Sequence, residues 1–142
     1  MQAVLPWQAW ALLSAAFAAL TATFGKVGVE GVNSDFATLI RTVVILVVLG
    51  AFLAATRQFQ PLEGIGPRTW LFLGLSGVAT GASWVCYYRA LQMGDASRVA
   101  PLDKLSIVLV AIFGVAFLGE HLSLRHWAGV GLIAGGALML AR

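Results

Sequence analysis

Apolar residues fall into five long runs along the chain, and short polar linkers separate these runs. The runs cover residues 7–29, 36–56, 70–91, 96–118 and 127–141. A helix that crosses a membrane needs about 20 mostly apolar residues, with a range of about 17–25. The last run is short and could borrow the polar turn at residues 122–126. The pattern therefore predicts five transmembrane helices.

The linkers contain turn-forming residues, as in EGVNSD after the first run and QPLEGIGP after the second. Glycine, proline, asparagine and aspartate favour turns, so each linker is expected to end a helix. Because the linkers are short, consecutive helices are expected to be antiparallel neighbours. No segment is long enough for a soluble domain. The sequence predicts an all-α bundle that forms a single membrane domain over residues 1–142.

Composition agrees with a membrane protein, because 60% of the residues are hydrophobic and 11% are charged. A soluble domain carries about 25% charged residues. The nine lysines and arginines are scattered between apolar runs. They form no basic patch, which argues against nucleic acid as a partner. The first 25 residues carry no charge, so we expect a retained membrane helix and not a cleaved signal peptide.

Positively charged residues near the span ends give a weak orientation signal. Five spans place the two termini on opposite sides of the membrane, and lysines and arginines occur near both sides. An excess of these residues normally marks the cytoplasmic side. The small bias permits insertion in both orientations, although a single orientation stays open.

Asp103 and Lys104 lie inside the fourth run, and Arg41 lies near the start of the second. At a rise of about 1.5 Å per residue, Asp103 is about 12 Å deep. Charges at this depth are costly unless they face a partner, the bundle interior or water. We therefore expect a polar cavity in which Asp103 pairs with Arg41, Lys26 or Arg89. Pairing with Lys104 is not expected, because adjacent side chains on a helix point in different directions.

A simpler alternative to the cavity is that the basic side chains reach the membrane surface and Asp103 is a buried structural partner. Pro101 bears on this choice. Inside a helix it frees the carbonyl of Ser97, which is tolerated only against protein or water. If the helix instead begins at Ala100, Pro101 is a first-turn proline. We favour a helix kink at Pro101.

Polar and aromatic residues share helical faces in several runs. The cavity is predicted to be lined by residues of four spans: Ser14, Thr21, Arg41, Thr80, Ser83, Trp84, Tyr87, Tyr88, Asp103 and Ser106. The three aromatic rings are too large for a tight helix seam and suit a wall against an organic substrate. For Ser14 and Thr21, close helix packing remains an equal alternative. Gly131 and Gly135 have the GxxxG spacing, which predicts a helix–helix or dimer contact.

Signatures of enzymes and metal sites are missing from the sequence. His121 and His126 are five residues apart in a linker, unlike paired helical metal ligands. The single cysteine, Cys86, can form no internal disulfide and supports no metal set. We expect no catalysis, no cofactor and no metal.

The segment YYRALQMGDASRVAPLDKLSIVLVAIFGVAFLGEHLSLRHWAGVGLIAGGALML resembles the EamA domain of the drug/metabolite transporter superfamily. The resemblance rests on the aromatic–Arg–Ala–Leu motif, the proline in the fourth run, the pair Gly119–Glu120 and the glycine-rich last helix. It covers the whole chain as one five-helix unit and is strongest from Tyr87 onward. Many members contain two such units in inverted topology, whereas this chain contains one.

The resemblance implies a half-size secondary transporter in a bacterial cytoplasmic membrane that pairs as an inverted homodimer, or with a second half-size chain. It implies transport of small organic metabolites, amino acids or drugs, in some members coupled to protons. Small multidrug transporters of this superfamily use a glutamate in the first helix, and this chain has none there. Asp103 is then the candidate proton carrier. A lipid-carrier flippase subunit and a non-transporting subunit of a larger complex are the alternatives.

Overall fold

The computed structural model of the chain describes residues 6–141. Residues 1–5 and 142 of the predicted domain lie outside the described residues. The helices are α1 (Trp7–Gly28), α2 (Ser34–Thr56), a 3₁₀ turn (Leu62–Gly64), α3 (Pro67–Met93), α4 (Ala96–Asp103), α5 (Ser106–Phe117) and α6 (Leu124–Leu140). Since residues 6–141 form no strand, the predicted all-α class is confirmed.

Among residues 6–141, four helical segments are long and apolar enough to cross a membrane. They are α1, α2, α3 and the segment Ala96–Phe117, which contains both α4 and α5. The shorter apolar helix α6 has 17 residues and corresponds to the short fifth run. It begins at Leu124, which means that it uses part of the polar turn before Trp127.

The polar linker before the second span supplies a helix cap. The side-chain oxygen of Asn33 accepts hydrogen bonds from the backbone N–H groups of Asp35 and Phe36, at 3.0 and 3.1 Å. These bonds satisfy two of the N–H groups that have no partner inside a helix. At the other end, Arg57 adopts the left-handed conformation with a φ of 52° and ends α2. Asn33 of the predicted linker therefore begins α2, whereas the residue that ends α2, Arg57, is not one of the turn-forming residues of the predicted linkers.

The chain divides into two compact units. The first contains the residues up to Val27 and those from Met93 onward, and the second runs from Gly28 to Gln92. In the first unit α6 packs against α4 and α5, and Lys26 Nζ donates a hydrogen bond to the carbonyl oxygen of Gly94 at 2.9 Å. In the second unit the start of α2 binds the end of α3, so these helices are antiparallel neighbours.

The fourth span is interrupted next to its charged residues. Pro101 lies inside α4, and Lys104 and Leu105 separate α4 from α5. The N–H groups of Lys104 and Leu105 donate to the carbonyls of Pro101 and Leu102, each at 3.0 Å. These bonds connect residues three apart, which is the tighter 3₁₀ pattern. The kink at Pro101 stays a prediction, and the interruption in the regular helix lies three residues beyond it.

A glycine turn ends the fourth span. Gly119 has a φ of +69°, and Glu120 N–H donates to the carbonyl of Gly114 at 3.0 Å. The Glu120 side chain folds over the same residue, since a Cβ at position 114 would lie 2.5 Å from Glu120 Oε2. Glycine at 114 thus provides the space for this carboxylate.

Large apolar side chains in the middle of the spans are exposed. Leu46 is 71% exposed, Val78 73% and Val110 68%. Burial of apolar surface is worth about 25 cal/mol per Å², so surfaces of this kind require a covering of lipid or of another chain. The exposed faces are those of a membrane protein.

Gly119→Ala is expected to destabilise the protein, because a left-handed φ costs an L-residue roughly 1–2 kcal/mol. Gly74→Ala is the matched control, since a Cβ there meets no atom within 4 Å and alanine favours a helix. The measurement is the thermal unfolding midpoint of each variant in detergent. We expect a lower midpoint for Gly119→Ala alone, and equal midpoints would show that this turn does not require glycine.

Candidate functional site

Arg41 lies against two aromatic rings in the Gly28–Gln92 unit. Its guanidinium carbon is 4.0 Å from the centroid of the Trp84 ring and 5.3 Å from that of Tyr88. Trp84 and Tyr88 are four residues apart, which places them on one face of α3. We call Arg41, Trp84 and Tyr88 the Arg41 cluster. It joins the second and third spans through cation–π contacts.

The Arg41 cluster is partly buried and incompletely paired. Tyr88 is 5% exposed, and Arg41 and Trp84 are half-buried. The Nη1 atom of Arg41 is buried and has no hydrogen-bond partner among residues 6–141. An unsatisfied buried donor costs about 1–3 kcal/mol, and a charged one costs more. A cation–π contact stabilises the charged group by about 0.5–2 kcal/mol, which offsets part of this cost. Nη1 of Arg41 nevertheless remains a buried donor without a hydrogen-bond partner among the described residues.

An ion pair fixes α2 to α3 beside this cluster. Arg89 donates to Asp35 through two bonds, Nε to Oδ1 at 2.9 Å and Nη2 to Oδ2 at 2.6 Å. Gln92 Nε2 donates to the carbonyl of Val32 at 2.8 Å, next to the same helix start. Arg89 was expected as a partner of Asp103, but the structure pairs it with Asp35. The linker-like sequence VNSD gives no indication that Asp35 has this role.

Asp103 lies in the other compact unit, at the last residue of α4. Lys104 Nζ is 3.5 Å from Asp103 Oδ2, so the expectation that these neighbours would not pair is wrong. The expectation assumed a continuous helix, whereas Lys104 lies outside α4 in the turn before α5. Its flexible side chain reaches back to the carboxylate there. Lys26, another expected partner, donates to the carbonyl of Gly94.

The remaining predicted cavity residues are distributed along the helices. Tyr87 is half-buried, and its ring centroid is 6.3 Å from that of Tyr88. The Thr80 hydroxyl donates to the Ser76 carbonyl of its own helix at 2.8 Å. Thr21 is half-buried, and four residues are exposed: Ser14, Thr80, Ser83 and Ser106. The described contacts therefore bring together Arg41, Trp84 and Tyr88, with Tyr87 beside them.

The glycine pair of α6 and the distribution of possible metal ligands complete the description of the site. At Gly131 and Gly135 a Cβ would meet no atom within 4 Å, so this side of α6 is open to another chain. Over residues 6–141 there is no group of three or more histidine, cysteine or acidic residues that could hold a metal ion.

Comparison with known proteins places these observations in a family. Residues 5–142 match the family described as the EamA-like transporter family. A Sinorhizobium sp protein named "Uncharacterized transporter in cobO 3'region" is 72% identical over 135 residues, which cover 95% of this chain and 96% of that protein. No solved structure matches the chain.

More distant relatives carry a specific name. A "Probable 4-amino-4-deoxy-L-arabinose-phosphoundecaprenol flippase subunit ArnE" of Pseudomonas fluorescens is 35% identical over 74 residues, 51% of this chain and 62% of that protein. The protein of the same name from Hamiltonella defensa is 29% identical over 80 residues, 56% of this chain and 72% of that protein.

Asp35→Asn is expected to lower the thermal unfolding midpoint in detergent, because it weakens the two bonds with Arg89. Asp95→Asn is the matched control, since the Asp95–Arg98 pair is a local contact at 3.9 Å. We expect a clear decrease for Asp35→Asn and little change for Asp95→Asn. Equal midpoints for both variants would show that the Asp35–Arg89 pair does not hold α2 to α3.

Proposed function

The chain belongs to the EamA-like transporter family, and from this membership we propose that it moves small organic solutes across a membrane by alternating access in a dimer. The family and the transporter-named relative indicate a transporter and not an enzyme. The observation that carries the proposal is the Arg41 cluster. It places a positive charge, with a buried donor that has no hydrogen-bond partner among residues 6–141, within the predicted spans. Charged residues at such depth are usually functional.

In this mechanism the polar and aromatic face of α3 contacts the substrate. Trp84 and Tyr87 provide apolar surface, and the hydroxyls of Thr80 and Ser83 provide hydrogen bonds. Arg41 provides charge. The substrates are metabolites, amino acids or drugs, and Asp103 is the candidate carrier of a coupled proton.

A dimer supplies the second half of the transporter. Inverted repeats around a site near the membrane midplane are the usual architecture for alternating access. In this proposal a second copy in the opposite orientation supplies the inverted repeat. The open glycine face at Gly131 and Gly135 supports close approach of another helix. A second half-size chain is the alternative partner, and the proposed location is a bacterial cytoplasmic membrane.

A lipid-carrier flippase subunit is the second candidate function. It is favoured by the similarity to proteins named as flippase subunits, which extends over 51% of this chain for the Pseudomonas fluorescens relative. The exposed apolar faces of the spans would let the tail of a lipid stay in the bilayer while the head group of that lipid enters the proposed substrate site. A non-transporting subunit of a larger complex is a further alternative.

Asp103→Asn is expected to abolish solute uptake driven by a pH gradient, because the amide can carry no proton. Purified protein is reconstituted in liposomes, and uptake from a defined mixture of amino acids and metabolites is quantified by mass spectrometry. We expect the variant to fall to the level of empty liposomes while its unfolding midpoint is unchanged. Glu63→Gln, in the 3₁₀ turn, is the control and keeps full uptake. Normal uptake by Asp103→Asn would make Asp103 structural and remove it from the coupling mechanism.

Thiol labelling tests the inverted dimer. Cys86 is replaced by serine, one cysteine is placed in the linker at residues 60–66, and intact cells are treated with an impermeant thiol reagent. We expect partial labelling that reaches completion only after permeabilisation, because both orientations are present. Protection of the whole population, or complete labelling from outside, would show one orientation. A parallel dimer or a required partner would then replace the inverted homodimer.

A further inference from the structure

We propose that the Arg41 cluster binds the anionic group of the transported ligand, a carboxylate or a phosphate. This inference rests on the proposed function, since it names the chemical class of the ligand. The anionic group would bind to the guanidinium of Arg41, which has an unpaired donor among the described residues, and Trp84 and Tyr88 would hold that guanidinium in position.

The first argument is the unused donor. Nη1 of Arg41 is shielded from solvent and has no hydrogen-bond partner among the described residues. More than nine tenths of buried polar groups in folded proteins have a partner. A guanidinium presents five N–H donors in a planar fork, which matches the two oxygens of a carboxylate or phosphate. The unpaired Nη1 is therefore a donor for which an oxyanion is the matching acceptor.

The second argument is the charge balance within the Gly28–Gln92 unit. Both carboxylate oxygens of Asp35 accept bonds from Arg89. Glu63 lies in the 3₁₀ turn between α2 and α3, and Glu30 lies in the linker before α2. No carboxylate of this unit forms an ion pair with Arg41. The positive charge of Arg41 is therefore not paired with a carboxylate of its own unit, and it can attract the anionic group of a ligand.

The third argument is the position of the aromatic rings. The guanidinium carbon lies over the Trp84 ring, so the ring covers the face of the cation. A cation–π contact uses none of the N–H donors of the guanidinium in a conventional hydrogen bond, so these donors stay available for an anion. Tyr88 is buried, and the lower dielectric of a partly buried site strengthens attraction between opposite charges. An organic anion would place its charged group on Arg41 and its apolar part on the rings.

Two kinds of molecule carry such a group, a free organic or inorganic anion and the head group of an anionic lipid. The binding test uses purified full-length protein in a neutral detergent. Inorganic phosphate and acetate serve as soluble probes, and short-chain phosphatidic acid serves as the lipid probe. Binding is followed by isothermal titration calorimetry and by the increase in the thermal unfolding midpoint, since a ligand of the folded state stabilises it.

We expect at least one probe to bind the wild-type protein, and Arg41→Gln to weaken that binding about tenfold or more, because hydrogen bonds to charged groups are lost. Arg41→Lys keeps the charge but loses the planar fork, so its affinity should lie between the two. Arg68→Gln is the matched control. Arg68 also lies over an aromatic ring, at 5.9 Å from the Phe72 centroid, but it is exposed.

Binding of the soluble probes identifies a free anion as the ligand, and binding of phosphatidic acid alone identifies a lipid head group. Both results support the anionic site. Absence of binding by all three probes overturns it, and so does equal binding by the wild type and Arg41→Gln. If Arg41→Gln fails to fold, Arg41→Lys decides in its place, and unchanged affinity in that variant overturns the bidentate site.

Uptake measured in liposomes separates this inference from the proposed function. Uptake of neutral or cationic solutes alone, unchanged in Arg41→Lys, leaves a transporter but overturns the anionic site. Arg41-dependent binding without uptake of any solute supports the anionic site and removes the transporter. The two proposals can therefore fail independently.

Discussion

The paired hydrogen bonds between Asp35 and Arg89 join the start of α2 to the end of α3, the same two helices that form the Arg41 cluster. Arg41 follows Asp35 by six residues along α2, and Trp84 precedes Arg89 by five along α3. At about 1.5 Å per residue, the two distances from the ion pair are about 9 and 7.5 Å. Because the helices are antiparallel, these displacements run in the same direction. The ion pair thus brings the guanidinium level with the rings.

This arrangement combines a paired arginine on α3 with an arginine on α2 that has no ion-pair partner in the Gly28–Gln92 unit. Arg89 forms an ion pair with Asp35. Arg41 instead contacts the rings of Trp84 and Tyr88 and keeps one buried donor without a hydrogen-bond partner in the described part of the chain. Rings shield a cation without neutralising it. A positive charge can therefore remain inside the predicted spans in a form that still attracts an anion.

Hydropathy predicted the helices well, because the membrane requires long apolar runs and the linkers require turn residues. The predicted run at 36–56 and the helix Ser34–Thr56 differ by two residues at one end. Arg41, Trp84 and Tyr88 were each predicted as cavity residues, but their mutual contact was not. That contact depends on the register between two helices, which the periodicity of either helix does not contain. The Asp103–Lys104 contact was missed for a related reason, since the break after α4 is a feature of backbone hydrogen bonding.

The packing of α6 has a mechanical consequence for the interrupted fourth span. Regular hydrogen bonds stiffen α4 and α5 internally, whereas the joint at Lys104 and Leu105 is held by shorter-range bonds. Since α6 packs against both α4 and α5, it restrains bending between them. Bending at the joint requires α6 to slide over at least one segment. The angle of the fourth span, and with it the direction of the Asp103 carboxylate, is thereby controlled by a helix that carries no acidic residue.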